Sequence, residues 1–186
     1  MILIRLGGVN KTMNKINVGI IGYGVVGSAV GAVLAKRPGL KIKVVKVCDK
    51  RKISIPYPLT PNPYSLIKDP SIDVIVLTIA GTSPAKQLAL AALRAGKHVV
   101  TSNKELIALH LPELQAAAAK AKVGLLFEGA VGGGIPILNS LRNNLAANDL
   151  TEVYGIVNGT TNYILSKMTL EGRSFDAVLK EAQQLG

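Results

Sequence analysis

Residues 16–27 read INVGIIGYGVVG. The first six of these residues are mostly apolar and β-branched, which predicts a buried strand, Ile16–Ile21. The next six contain Gly22, Gly24 and Gly27 with the spacing G-x-G-x-x-G, and a helical apolar pattern continues over residues 28–36. A strand, a glycine-rich turn of this spacing and a helix together indicate the dinucleotide-binding unit of a Rossmann-type fold.

Each glycine of this turn has a separate physical role. Gly22 permits the tight turn, Gly24 lets a pyrophosphate approach the backbone, and Gly27 lets the helix pack closely on the strand. The helix that begins at Val25 and Val26 offers backbone N–H groups and a positive dipole end to the phosphates. The alternative is a glycine-rich turn that binds nothing.

The chain then alternates strands and helices, which predicts an α/β fold with a doubly wound parallel sheet. A proline-rich connection over residues 53–70 has room for at most a short helix near residues 64–67. After residue 130 the pattern changes to that of a partial α+β domain. We therefore divide the chain into a leader (1–14), a dinucleotide-binding domain (15–130) and a partial substrate and dimerisation domain (131–186). The further strands are predicted at residues 42–47, 74–77, 98–101, 125–128 and 152–157, and the further helices at 84–95, 104–109, 112–121, 136–145, 163–170 and 175–185.

The end of the second strand gives two conflicting signals about the cofactor. Asp49 stands where an acid would hold the adenosine ribose hydroxyls of NAD. Lys50, Arg51 and Lys52 follow at once, and a basic cluster attracts the 2′-phosphate of NADP. The basic run could equally be a solvated loop, so the choice between NAD and NADP stays open.

Composition limits the classes of function. The net charge is +11, but the basic residues are spread along the chain and aromatic residues make up only 4%. This favours a basic surface that suits small anions over nucleic-acid binding. A single cysteine, Cys48, excludes an internal disulfide and gives no sign of secretion, so we expect a cytoplasmic protein. No apolar stretch reaches the length of a membrane span, and Cys48, His98 and His110 lack metal-ligand spacing.

Three further segments identify a family. They are TSNKE (residues 101–105), FEGAVGGGIP (127–136) and GIVNGTTNYI (155–164). The first two follow the fourth and fifth strands, at the edge where doubly wound sheets bind ligands. In this order and spacing, the segments resemble those of homoserine dehydrogenases over about residues 15–186. That resemblance implies interconversion of aspartate semialdehyde and homoserine with NAD or NADP, in threonine and methionine synthesis, by a homodimer paired through its second domain.

The resemblance also assigns roles to individual residues. Lys104 corresponds to a catalytic lysine beside the nicotinamide and the substrate, where an ammonium could stabilise alkoxide charge. The alternative is a surface lysine at a helix start. The cofactor-binding residues would be Gly22, Gly24, Val25, Val26, Gly27, Asp49, Lys50, Arg51, Gly81, Thr101, Ser102 and Lys104.

Two more sites follow from the resemblance. Asn158, Gly159 and Thr160 would form the substrate loop, the alternative being plain helix capping by Thr160. A monovalent cation, sodium or potassium, would bind the Glu128 carboxylate and backbone carbonyls. The same segment could also serve as a hinge. The carbonyl ligands would come from Val131, Gly133 and Ile135.

Two departures from the family pattern stand out. Residues 78–81 are TIAG, where the family places an acid before a glycine pair, so the cofactor contacts of this loop are open. The family also continues past the equivalent of Gly186, into carboxylates that hold the substrate and a lysine that transfers the proton. We therefore expect this chain to bind a dinucleotide but to turn over slowly or not at all. The alternatives are a non-catalytic dinucleotide-binding protein and a related enzyme such as an aspartate dehydrogenase, against which the 158–163 loop argues.

Overall fold

A computed structural model describes residues 15–155 and 158–185. The chain divides into two compact units, with the boundary between Ala130 and Val131. The expected leader, residues 1–14, lies outside the described residues. Among the helices of the described ranges, none combines the length and the apolar character needed to cross a membrane.

The first unit is built on a parallel sheet of six strands, which confirms the predicted doubly wound α/β fold. The strand order is β3-β2-β1-β4-β5-β6. Because the chain leaves β1 for β2 on one side and later returns to β4 on the other, the strand order reverses beside β1. A crevice forms at such a switch point, outside the carboxyl ends of the strands. The strands are β1 (Ile16–Ile21), β2 (Ile42–Cys48), β3 (Leu59–Thr60), β4 (Val74–Leu77), β5 (His98–Thr101) and β6 (Leu125–Leu126).

Strand β3 was not expected, because it lies inside the proline-rich connection. It pairs with Val47 and Cys48 at the edge of the sheet. Pro58 lacks an N–H group, but its carbonyl oxygen accepts a 2.9 Å hydrogen bond from Val47 N. Prolines are tolerated at a sheet edge because only one side of the strand needs a partner.

Four α-helices flank the sheet: α1 (Val25–Ala35), α2 (Tyr64–Ile67), α3 (Ala85–Arg94) and α4 (Lys104–Ala121), with a short 3₁₀ turn at Pro38–Leu40. The predicted break between residues 109 and 112 was wrong, because α4 continues through Pro112. That proline costs the helix one backbone hydrogen bond. Leu106 and Leu114, on either side of it, are completely buried, and this burial offsets the loss and keeps both halves helical.

The second unit contains a helical turn α5 (Ile137–Asn139), which continues as a π-helical turn over Ser140–Asn144, and two longer helices, α6 (Gly159–Glu171) and α7 (Phe175–Leu185). Helices α6 and α7 share a small core of Ile164, Val178 and Ala182. The Tyr163 hydroxyl donates a hydrogen bond to the Glu181 carboxylate and ties the two helices together.

The predicted strand over residues 152–157 was wrong in its described part. Residues 151–155 are irregular and exposed, while 156 and 157 lie outside the described residues. A strand needs a neighbour for its backbone hydrogen bonds. The described part of the second unit contains no other strand to supply them.

Candidate functional site

The glycine-rich turn is fixed to both neighbouring strands. Gly22 has a positive φ of 93°, and its N–H donates to the Cys48 carbonyl oxygen at 2.8 Å. Thr78, at the end of β4, donates its hydroxyl to the Gly22 carbonyl oxygen at 2.6 Å. A methyl group on Gly27 would collide with that same carbonyl oxygen. The turn is therefore held in place before any ligand arrives.

Gly24 differs from the other two glycines because a methyl group there would meet no atom within 4 Å. It is the N-cap residue of α1, and no side chain caps that helix. Next to it, Val25 is 89% exposed. Backbone N–H groups in the first turn of a helix have no partner within the helix. The space in front of Gly24 thus suits an anionic group.

Asp49 lies at the carboxyl end of β2, as the sequence predicts, but its carboxylate is already engaged. One oxygen accepts from Tyr23 N at 2.9 Å. Arg51 donates from Nε and Nη2 to the two oxygens, each at 2.9 Å. The hydrogen bonds from the Arg51 side chain are the main reason that the pKa of Asp49 lies far below its usual value.

Asp49 and Arg51 are therefore partners, although the sequence gives them as two conflicting signals. The Arg51 side chain is 61% exposed, whereas Asp49 is 9% exposed. Arg51 also donates from Nη2 to the Tyr23 carbonyl oxygen at 3.1 Å. An outer cationic group thus covers an inner carboxylate at the corner where the ribose hydroxyls would lie.

On the other side of β1, the ends of β4 and β5 are joined by buried side chains. The Thr101 hydroxyl donates to the Leu77 carbonyl oxygen at 2.9 Å and accepts from Asn103 N at 3.1 Å. Thr101 is almost fully buried, so its side chain supports the edge of the sheet. Ser102 is half-buried, and a methyl group on Gly129 would lie 3.6 Å from its Cβ.

Asn103 belongs to the TSNKE segment, but no role was predicted for it. Its Oδ1 accepts from Leu106 N at 2.9 Å and caps α4. Its Nδ2 donates to the carbonyl oxygens of Ile79 and Gly81 at 2.9 and 2.6 Å. The available signal was an asparagine directly before a helical pattern, which is a preferred cap. That signal does not reveal the link to residues 79–81.

Lys104 is the first residue of α4 and is exposed. The positive end of the helix dipole disfavours a cation at this position. The predicted cofactor residues all lie at or just beyond the carboxyl ends of β2, β1, β4 and β5, which are neighbouring strands. The structure thus brings these residues to one edge of the first unit.

The predicted cation ligands fall on both sides of the unit boundary. In the first unit, Glu128 begins a 3₁₀ turn, Glu128–Ala130, and is half-buried. In the second unit, Gly133 has a positive φ of 61°, and Ile135 N donates to the Gly132 carbonyl oxygen at 3.1 Å. The described residues contain no group of three or more histidine, cysteine or acidic side chains that could hold a metal. The predicted cation ligands are of another kind, one carboxylate and three backbone carbonyl oxygens.

The predicted substrate loop lies in the second unit, at the start of α6. Asn158 is the N-cap residue, and its Oδ1 accepts from Thr161 N at 2.9 Å. The alternative role of Thr160 as the capping residue was therefore wrong. Gly159 and Thr160 are exposed in the first turn.

Sequence and structure comparisons agree on one family. The family model for the homoserine dehydrogenase NAD-binding domain matches residues 22–128, and that for homoserine dehydrogenase matches residues 136–186. The homoserine dehydrogenase of Neisseria gonorrhoeae is 41% identical over 94% of this chain. The chain spans only 43% of that relative.

Solved structures give the same result. The crystal structure of a homoserine dehydrogenase from Thiobacillus denitrificans has a TM-score of 0.86 and 42% identity, covering 92% of this chain and 42% of its own. A hyperthermophilic archaeal homoserine dehydrogenase mutant in complex with NADPH has a TM-score of 0.78 and 28% identity, covering 92% of this chain and 61% of its own. These comparisons do not favour an aspartate dehydrogenase or a non-catalytic cofactor-binding protein.

Proposed function

Because the chain belongs to the homoserine dehydrogenase family, we propose that the protein interconverts L-homoserine and aspartate semialdehyde with a nicotinamide dinucleotide. The observation that carries this proposal is the agreement of both family models with the two consecutive units. In the oxidising direction, the alcohol carbon would lose a hydride to the oxidised nicotinamide and its hydroxyl group would lose a proton to a base, which leaves the aldehyde. It would serve threonine and methionine synthesis in the cytoplasm, in a homodimer paired through the second domain.

The pyrophosphate of the dinucleotide would lie in front of Gly24. Three observations support this placement: the open space at Gly24, the free first turn of α1, and the absence of an acidic residue in that turn. Together they fit two negative charges at a helix start. The tight packing at Gly27 then holds the turn in the shape that the ligand needs.

We propose that NADP binds at least as well as NAD. Arg51 neutralises Asp49 and presents an exposed guanidinium at the ribose corner. Lys50 is also exposed there. A planar guanidinium suits a phosphate, and the archaeal relative named above was solved with NADPH.

Lys104 is proposed as the catalytic cation. When the cofactor is bound, its nicotinamide ring accepts or donates the hydride. The oxygen of the reacting carbon then changes between hydroxyl and aldehyde, and negative charge develops on it during the transfer. An ammonium at the start of α4 would stabilise that charge. Its exposed position at a helix end that disfavours cations supports a functional role.

In the second unit, Asn158, Gly159 and Thr160 are proposed to bind the amino-acid part of the substrate. The exposed N–H groups of the first α6 turn suit its carboxylate. We propose that a sodium or potassium ion binds the Glu128 carboxylate and the backbone carbonyls of Val131, Gly133 and Ile135. Hard oxygen ligands suit such an ion.

The test uses Lys104→Gln in the protein expressed from its natural gene. Reduced-cofactor absorbance with homoserine and NADP gives kcat, and calorimetry gives the dissociation constant of NADPH. We expect kcat to fall by about 100-fold or more, as when one transition-state donor is lost, with NADPH affinity within about threefold. Lys120→Gln, in the last turn of the same helix, is the matched control. If parent and variant turn over at equal rates, Lys104 is not the catalytic cation, and if a parent that includes any natural downstream codons shows no turnover, the proposed activity is wrong.

A further inference from the structure

Asn103 is a buried polar side chain at the ligand-facing edge of the sheet. It is 8% exposed, and its amide group makes three hydrogen bonds. One caps α4 through Leu106 N. The other two reach back more than twenty residues, to the carbonyl oxygens of Ile79 and Gly81. The side chain therefore joins a helix start to the loop after β4.

Only a side-chain amide satisfies all three partners. The cap requires an acceptor, and the two carbonyl oxygens require donors. An aspartate at residue 103 would keep the cap but would place a carboxylate against two carbonyl oxygens. A serine would also cap the helix, but it has one hydroxyl on a shorter side chain. The link to the loop is thus separable from the cap by substitution.

The strand order places the loop on a defined half of the dinucleotide site. Asp49 and Arg51, at the end of β2, lie where the adenosine ribose would bind, and Gly24, beside β1, lies where the pyrophosphate would bind. Strand β4 lies on the opposite side of β1 from β2. A dinucleotide that crosses the edge in this direction brings its nicotinamide half over the ends of β4 and β5.

We propose that Asn103 is a positioning residue for the nicotinamide half of the cofactor. It pins residues 79–81 against α4, so that this wall of the cleft is ordered before the cofactor binds. Preorganisation of a loop increases affinity because the loop loses little conformational entropy when the ligand binds. The inference rests on the proposed dinucleotide site.

The adenosine and pyrophosphate halves are held by other contacts. The glycine-rich turn depends on Thr78 and the Cys48 carbonyl, and the ribose corner depends on Asp49 and Arg51. None of these contacts involves Asn103. Loss of its amide should therefore weaken the binding of one half of the ligand selectively.

The experiment compares two ligands on the same protein by calorimetry. NADPH contains both halves, whereas adenosine 2′,5′-bisphosphate lacks the nicotinamide half. For Asn103→Ser we expect NADPH to bind about tenfold more weakly, the effect of roughly one net hydrogen bond, with a change below about twofold for the bisphosphate. Asn103→Asp should lose more NADPH affinity than Asn103→Ser. Asn17→Ser is the matched control, because Asn17 Nδ2 also donates to a backbone carbonyl oxygen, that of Ser71, and residue 17 lies at the amino end of β1, on the opposite edge of the sheet.

The outcomes separate the possible explanations. A merely structural role would lower the affinity for both ligands by the same factor and lower the thermal midpoint with it, which would overturn the proposal. Unchanged NADPH binding in both Asn103 variants would also overturn it. If the parent binds neither ligand, the proposed dinucleotide site itself fails. If instead the parent binds both ligands and the Asn103 variants bind them equally well, the dinucleotide site stands and only the role of Asn103 fails.

Discussion

Replacing Gly24 by alanine should remove dinucleotide binding while leaving the fold intact, and the same change at Gly27 should damage the fold itself. The two positions lie in one turn and receive one methyl group each. At Gly24 that methyl meets no atom within 4 Å, whereas at Gly27 it collides with the Gly22 carbonyl oxygen and lies 2.9 Å from the Thr78 hydroxyl. The pair therefore separates the space reserved for a ligand from the space used in packing.

The sizes of the two effects follow from these surroundings. At Gly27 the obstacle is backbone, which cannot move aside, so the cost lies near the upper end of overpacking, about 3 kcal/mol. That corresponds to a fall of roughly 10 °C in the midpoint of a unit of this size. At Gly24 the cost is that of alanine at an N-cap, about 0.5–1 kcal/mol. The same methyl would occupy the pyrophosphate position and prevent about two charge-assisted hydrogen bonds, so NADPH should bind at least about 100-fold more weakly.

Thermal unfolding followed by circular dichroism and NADPH calorimetry are the two measurements. Gly24→Val should extend the trend, with a lower affinity than Gly24→Ala because two more methyl groups enter the same space. Gly39 serves as a control glycine, because a methyl there also meets no atom within 4 Å and it lies beyond α1. NADPH affinity in Gly24→Ala equal to that of the parent would show that the pyrophosphate binds elsewhere. A Gly27→Ala protein as stable as the parent would refute the packing argument.

Three further predictions concern charged and nucleophilic groups. Asp49→Ser should raise the ratio of NADPH to NADH affinity, because Arg51 loses its carboxylate partner; an unchanged ratio in calorimetry would place Asp49 away from the ribose. Cys48 is buried and its thiol pKa is raised to about 11, mainly by burial, so a thiol reagent at pH 8 should label only unfolded chain, and prompt labelling of the native protein would contradict this. The hydrogen bond from Lys46 holds the pKa of Asp69 below its usual value. The Asp69 carboxylate therefore contributes to stability above about pH 4, its pKa in the unfolded chain, and this contribution is lost as the pH falls. Denaturant titrations should show that the free energy of unfolding depends less on pH in Asp69→Asn than in the parent, and an equal dependence would count against the ion pair.

The first unit was largely predictable because its signals are local. A strand, three glycines and the next strand all lie within residues 16–48, and each depends on side-chain alternation or backbone freedom. The order of β1, β2, β4 and β5 follows from their parallel crossovers. The roles of Gly22 and Gly27 could also be argued from spacing alone, and the structure supplies the colliding atoms.

Other features depend on contacts that spacing does not encode. The Asp49–Arg51 ion pair forms because the long Arg51 side chain folds back onto the carboxylate two residues before it. The sequence alone gives the acid and the basic residue as opposite signals about the cofactor. Helix α4 passes Pro112 because tertiary burial outweighs a local penalty. The strand predicted at residues 152–157 failed for the opposite reason, since a suitable pattern has no partner strand among the described residues.

The TIAG segment at residues 78–81 departs from the family pattern, but two side-chain contacts hold this loop in place beside the proposed cofactor site. The segment contains no acid, but the Thr78 hydroxyl donates a hydrogen bond to the Gly22 carbonyl oxygen. Asn103 binds the carbonyl oxygens of Ile79 and Gly81. Short side chains with one or two rotatable bonds lose little conformational entropy when they are fixed, so these contacts order the loop at low cost. The loop therefore does not need an acid to keep its position.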